Sequence, residues 1–224
     1  MKRFSSVFLF AVLCMLTVSA QKFEPNTKWP YLYQDFTPGT IYFEGNQKST
    51  ADLNVHLWGN VLHYVNSDGR IFESKDAKVV RVEIGSDAYI FSDHKLVKIV
   101  AVKGTNILAM LTKGDFDAMH SGGGAYGASL NSSAAKDLSS LDLGGLNQPE
   151  LGKMLQEKND GSAIPLSQVY YFIIDGQQIE ASKKDVEKFL GKDKAEAFNK
   201  FLKESKIKWK KEDSLQKVLD YLSE

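Results

Sequence analysis

The chain has 224 residues, 43% of them hydrophobic and 25% charged, with Lys+Arg and Asp+Glu balanced at 28 each and a single cysteine. This is ordinary globular composition, and it excludes collagen-like, low-complexity and wholly disordered classes. A formal charge of zero gives no electrostatic reason to expect nucleic acid or an anionic membrane as the principal partner.

The first element is an export signal. Lys2 and Arg3 form a basic start, Val7 to Ala20 is an apolar run, and Val18-Ser19-Ala20 supplies the small residues that signal peptidase needs before a cut at Gln21. The run is shorter than the ~20 residues that cross a bilayer, so no transmembrane anchor is expected after cleavage. Cys14 lies inside it, and the expected mature chain of 204 residues is cysteine-free. Disulfides, Cys-zinc sites and thiol nucleophiles are thereby excluded, and stability must come from apolar packing. The expected destination is periplasmic or extracellular.

An aromatic cluster follows: Phe23, Trp29, Tyr31, Tyr33, Phe36, then Tyr42 and Phe43. Aromatic faces line carbohydrate or apolar-ligand grooves, which makes Trp29, Tyr31 and Tyr33, with Trp58 further on, the ligand-binding candidates. The favoured reading is that such residues seal the open end of a small β-domain.

From Gly39 to about Lys113, short β-branched and aromatic runs alternate with Gly, Asn, Asp and Ser punctuation. Eight strands joined by short turns predict an antiparallel meander, as a small barrel or a curved sheet with one covered face. A two-residue turn at Gly59-Asn60 sets His56 opposite His63, with their Cβ atoms ~5 Å apart and within reach of one ion. Zinc or copper is the implied metal, but the third ligand that zinc needs is missing, and Asp76 on the next strand is a candidate whose register the spacing leaves open. The favoured reading is a polar pair on a solvated sheet face, with Leu53, Val55, Leu57, Leu62 and Tyr64 facing the core.

From His120 to Pro149, 12 of 30 residues are Gly or Ser, which reads as a flexible linker or long loop. A short helix is expected from Pro149 to about Lys158. The GxGxxG within Gly122–Gly127 lacks the preceding buried strand and following apolar helix that dinucleotide binding requires. His120 is tied to no nucleophile by spacing, and Asp115 with Asp117 has no further support as a carboxylate pair.

The last sixty residues predict a compact α+β module. VYYFIID-G-QQIEAS reads as a hairpin turning at Asp175-Gly176. Ser182 with Asp185 resembles a capping box, Gly191 a helix stop, and two further helices are expected from about Asp193 and Ser214. Lys206–Lys211 alternates basic and apolar residues. Ile207 and Trp209 are read as filling the gap between helices while the lysines stay wet, in preference to binding a polyanion.

Hydrolase signatures (GxSxG, HExxH, SxxK in context) are missing. The opening YLYQDFTPGTIYFEG, the meander, the GGGAYG segment and the lysine-rich ending from YYFIIDGQQIEAS onward together resemble exported proteins of unassigned activity from Bacteroidota bacteria. That resemblance implies export and a two-part layout, and it implies no functional residue.

The expectation is therefore an α+β protein: a signal peptide over 1–20, an antiparallel β domain over 21–116, a Gly/Ser-rich linker with a short helix over 117–164, and an α+β module over 165–224. The expected role is non-enzymatic, binding an envelope or extracellular protein or a ligand. The alternatives are a periplasmic carrier of a lipid or other apolar ligand, and a metal-dependent hydrolase.

Overall fold

The computed structural model describes residues 26–74, 78–116 and 163–224. The expected signal peptide with Cys14, Phe23, Asp76, Asp117, His120, the GGGAYG segment and the helix expected from Pro149 lie outside the described residues.

Eight strands follow the runs anticipated above: β2 (Thr37–Phe43), β3 (Lys48–His56), β4 (Val61–Val65), β5 (Ile71–Glu73), β6 (Val79–Ile84), β7 (Asp87–Ser92), β8 (Lys95–Lys103) and β9 (Asn106–Gly114). A two-residue strand, β1 (Asn26–Thr27), precedes them. β10 (Ile164–Ile174) and β11 (Gln177–Glu180) form the C-terminal hairpin. Its turn is Asp175-Gly176, both with positive φ (50° and 80°), the backbone that a tight antiparallel connection demands.

The fold is α+β, built on one antiparallel sheet that does not close into a barrel. Strand order is β1, β10, β9, β8, β7, β6, β2, β3, β4, β5, and β11 also pairs with β10. The C-terminal hairpin is continuous with the meander, because β10 pairs with β9 from Leu166↔Gly114 to Ile173↔Ile107. The sheet coils until distant strands meet. Asn60, in the β3–β4 turn, accepts from Leu96 N on β8 (2.7 Å) and donates through Nδ2 to Thr112 O on β9.

Side-chain alternation divides the apolar residues between the faces. Ile41, Leu53, Val55, Leu62, Val82, Ile84, Tyr89 and Leu96 form the core of the first half. Gly39 lies at its tightest point: a Cβ there would stand 2.3 Å from Glu83 O and 2.6 Å from Leu53 Cδ1. Backbone cannot retreat as a side chain can, so Gly39→Ala is expected to cost about 1–3 kcal/mol. Urea unfolding monitored by circular dichroism measures it.

Three helices cover the other end: α1 (Lys183–Leu190), α2 (Lys192–Ser205) and α3 (Glu212–Leu222). Ser182 Oγ accepts from Asp185 N at 3.1 Å, the expected cap, and Gly191 ends α1. Val186, Phe198, Leu215, Val218 and Leu219 bury against Leu108, Phe172, Ile174 and Ile179 of the sheet. Ile207 and Trp209 pack against this same core, while Lys206, Lys208 and Lys210 are exposed.

Candidate functional site

The densest group of chemistry-bearing side chains lies where the N-terminal segment crosses β3 and β4. That segment is locked on by backbone bonds: Leu57 N donates to Pro30 O (2.8 Å), Leu32 N donates to Val55 O (2.9 Å), and Tyr31 bridges His56. It lays Trp29, Tyr31 and Phe36 over Ile71 and Val65. Trp29, Tyr31 and Phe36 of the aromatic cluster therefore pack against the sheet, whereas Tyr33 and Phe43 pack against the first core.

His56 and His63 do come together, but not in the expected register. The observed pairs are His56↔Val61 and Asn54↔His63, so the hairpin turns through four residues, Leu57 to Asn60, and not through two. The reason is tertiary. Leu57 leaves the ladder to donate to Pro30 and buries its side chain beside Phe116 and Ile164, while Asn60 is drawn toward β8 and β9. A shift by two residues preserves the face, so the histidines remain diagonal neighbours. Their rings stack at 4.7 Å with 4° between planes.

Nor is this face solvated. His56 is 3% and His63 9% exposed, because the N-terminal aromatic segment covers them. Tyr31 sits edge-on to both rings at 5.0 and 5.5 Å. Its hydroxyl lies 2.8 Å from His63 Nδ1. Burial raises the Tyr31 pKa, so the phenol stays protonated, and it donates to Nδ1 or accepts from it according to the His63 tautomer. Burial, and then the neighbouring His56, hold the His63 pKa down to about 3. At neutral pH this is an uncharged imidazole with little power as a base.

The metal expectation meets a geometric obstacle. Imidazole lone pairs lie in the ring plane, and parallel stacked rings aim them along parallel lines, so sharing one ion requires a ring to turn. Among the described residues, no group of three or more His, Cys, Asp or Glu is placed to hold an ion.

Tyr33 points to the opposite side, into a polar cluster at the margin of the first core. Its hydroxyl donates to Asp87 Oδ2 (2.8 Å) and meets the Tyr89 hydroxyl at 2.5 Å, while Lys98 Nζ reaches Asp87 Oδ1 at 2.6 Å. Burial first, then Tyr89 and Asp87, push the Tyr33 pKa up. Trp58 alone of the four aromatic candidates is open to solvent, 48% exposed and edge-on to Phe116 at 4.9 Å. The four candidates thus occupy three different places and do not share a groove.

Sequence reasoning missed Asn54, Asp87, Tyr89 and Lys98. Asn54, fully buried, organises the N-terminal segment: Oδ1 accepts from Tyr33 N (3.1 Å) and Val55 N (2.8 Å), and Nδ2 donates to Tyr33 O (2.9 Å) and Asp35 O (3.2 Å). Period-two alternation places Asn54 on the face of His56, which was the available signal. Comparison with protein-family models, curated proteins and solved structures finds no match to this chain.

Proposed function

We propose that this chain is an exported, non-catalytic protein that binds a partner or ligand outside the cytoplasm. One observation carries the non-catalytic part: the titratable groups best suited to chemistry are used as packing. His63 and Tyr31 are buried against each other with pKa values driven away from neutrality, and Tyr33 and Tyr89 close a cluster around Asp87. A general acid or base operates best with a pKa near the ambient pH, and burial here drives these groups the other way. Export is supported by the basic, apolar and small-residue succession before Gln21.

A second reading, carriage of an apolar ligand, is favoured by the sheet face away from the helices. There Val97, Ala109 and Leu111 are buried, while Ile90, Ile107, Tyr171 and Ile173 around them are only half-buried. Val102, which pairs with Ile107, is 58% exposed.

Native mass spectrometry of the protein purified from its own host separates these readings, with N-terminal sequencing alongside. The proposal expects a chain beginning at Gln21, with the mass of bare polypeptide and no metal. A retained lipid-sized mass would favour the carrier, and a stoichiometric zinc or copper ion lost in a His63→Ala variant would overturn the non-catalytic reading.

A further inference from the structure

The zero net charge of the chain conceals an uneven distribution. Residues 26–116, which carry β1 to β9, hold ten positive and ten negative side chains, leaving His aside. Residues 192–211, α2 and the segment leading to α3, hold eight lysines against three acids, Asp193, Glu196 and Glu204. The excess gathers at the end of this stretch, where Lys203, Lys206, Lys208, Lys210 and Lys211 are all exposed. A local asymmetry of this kind points to an anionic partner even where the whole chain is neutral.

Nearby acids are engaged elsewhere. Glu204 lies 4.0 Å from Lys200 across one helical turn, and among the described residues none of the five lysines forms an ion pair. Glu212 Oε1 accepts from Tyr170 OH at 3.0 Å, and Glu212 with Asp213 occupies the first turn of α3, where carboxylates face the positive end of the helix. The lysines are also held in place. Lys206 ends α2 in the left-handed region (φ 49°), its N–H donating to Leu202 O. Ile207 and Trp209 pack on the core between helices and sheet, and Lys211 N donates to Lys208 O at 2.9 Å. Alternation with these two anchors leaves Lys206, Lys208 and Lys210 on the outer side of a fixed backbone.

We propose that this lysine face, Lys203 together with Lys206 to Lys211, docks the protein on a surface of anionic lipid headgroups. The partner so named rests on the binding role proposed above. Residue type favours a surface over one captured phosphate. Lysine is a compact point charge without the planar fork with which arginine grips a phosphate, and the three arginines, Arg3, Arg70 and Arg81, all lie elsewhere in the sequence. A run of lysines responds to charge density, which acidic lipids supply across the whole face at once. Trp209 favours a bilayer over a soluble polymer: it is half-buried between Lys208 and Lys210, and indole rings settle at the headgroup level of membranes.

Cosedimentation with vesicles of equal parts phosphatidylglycerol and phosphatidylcholine tests this on the protein as its host leaves it. Binding is expected there and not to phosphatidylcholine alone. Raising the salt from about 0.1 to about 1 M, which shortens the screening length from about 10 to about 3 Å, should release it. Lys206→Gln, Lys208→Gln and Lys210→Gln together are expected to weaken binding about a hundredfold, with the circular dichroism spectrum unchanged. Arginine at the same three positions keeps the charge and should keep the binding. Glutamine at Lys48, Lys95 and Lys113, exposed lysines of the meander, removes as much charge and should weaken binding little. Failure to bind the acidic vesicles, equal binding to both vesicle types, or equal losses in the two glutamine variants overturns the proposal. Tighter binding to dextran sulfate than to the vesicles, lost in the same variant, overturns the lipid assignment and gives the face to a soluble polyanion. The binding role is judged separately: a different partner retained in native mass spectrometry, without vesicle binding, refutes the lysine face and leaves that role standing.

Discussion

Lowering the pH from 7 to 4 is expected to destabilise the protein by about 3 kcal/mol through His63 alone. In the fold this imidazole is held down to about 3, chiefly by burial, whereas an unfolded chain restores it to its ordinary value near 6.5. Between those values the unfolded state binds the proton and the folded state does not. The contribution is therefore fully present above pH 6.5 and is lost progressively as the pH falls toward 3. Protonation also places a charge against the stacked His56 ring and makes both ring nitrogens donors beside the Tyr31 hydroxyl. The check is urea unfolding at pH 7 and pH 4 for the wild type and for His63→Gln, which keeps an acceptor for Tyr31 but does not titrate. The variant should show a loss smaller by about 3 kcal/mol. Parallel losses in the two proteins would mean that other groups dominate the acid response.

Asn54→Ala is expected to cost about 3–4 kcal/mol at neutral pH. The side chain makes four hydrogen bonds to the backbone of Tyr33, Asp35 and Val55, from a position with no exposure. Alanine leaves those groups without this partner, and each buried orphan costs about 1–3 kcal/mol, reduced wherever water can enter. Asn54→Asp is expected to be worse still, because it exchanges two donors for a buried negative charge. Differential scanning calorimetry of Asn54→Ala measures the loss. Faster amide exchange in Leu32 and Leu57, which donate to and from the N-terminal segment, would locate it. A variant within 1 kcal/mol of wild type would show that the segment is held by its aromatic side chains alone.

Both predictions converge on one architectural fact. The N-terminal segment is the cover of the β3–β4 face, attached by backbone bonds, by Asn54 and by the Tyr31–His63 contact. Its removal would expose two histidines and the apolar Ile71 together.

Much of this fold is legible in the chain. Eight strand runs, the Asp175-Gly176 hairpin, the Ser182 cap, the Gly191 stop and the apolar stripe of Leu215, Val218 and Leu219 depend on local signals: turn residues, caps and side-chain period. The faces of the β3–β4 hairpin were also readable, since alternation fixes which residues share a side however the turn is made. His56 and His63 were accordingly paired from sequence in the right company but with the wrong partners.

What the sequence determined by itself was therefore periodic: the elements, their faces, and which side chains compete for the same side. What only the tertiary structure decided was where chain ends and turns attach. Leu57 chose Pro30 over its hairpin partner, Asn60 reached to Thr112, and the aromatic segment buried a face that alternation alone marks as polar. The physical reason is range. Propensity and period act over a few residues, whereas a buried hydrogen bond or apolar contact between residues fifty apart is worth as much as a turn preference and leaves no local trace.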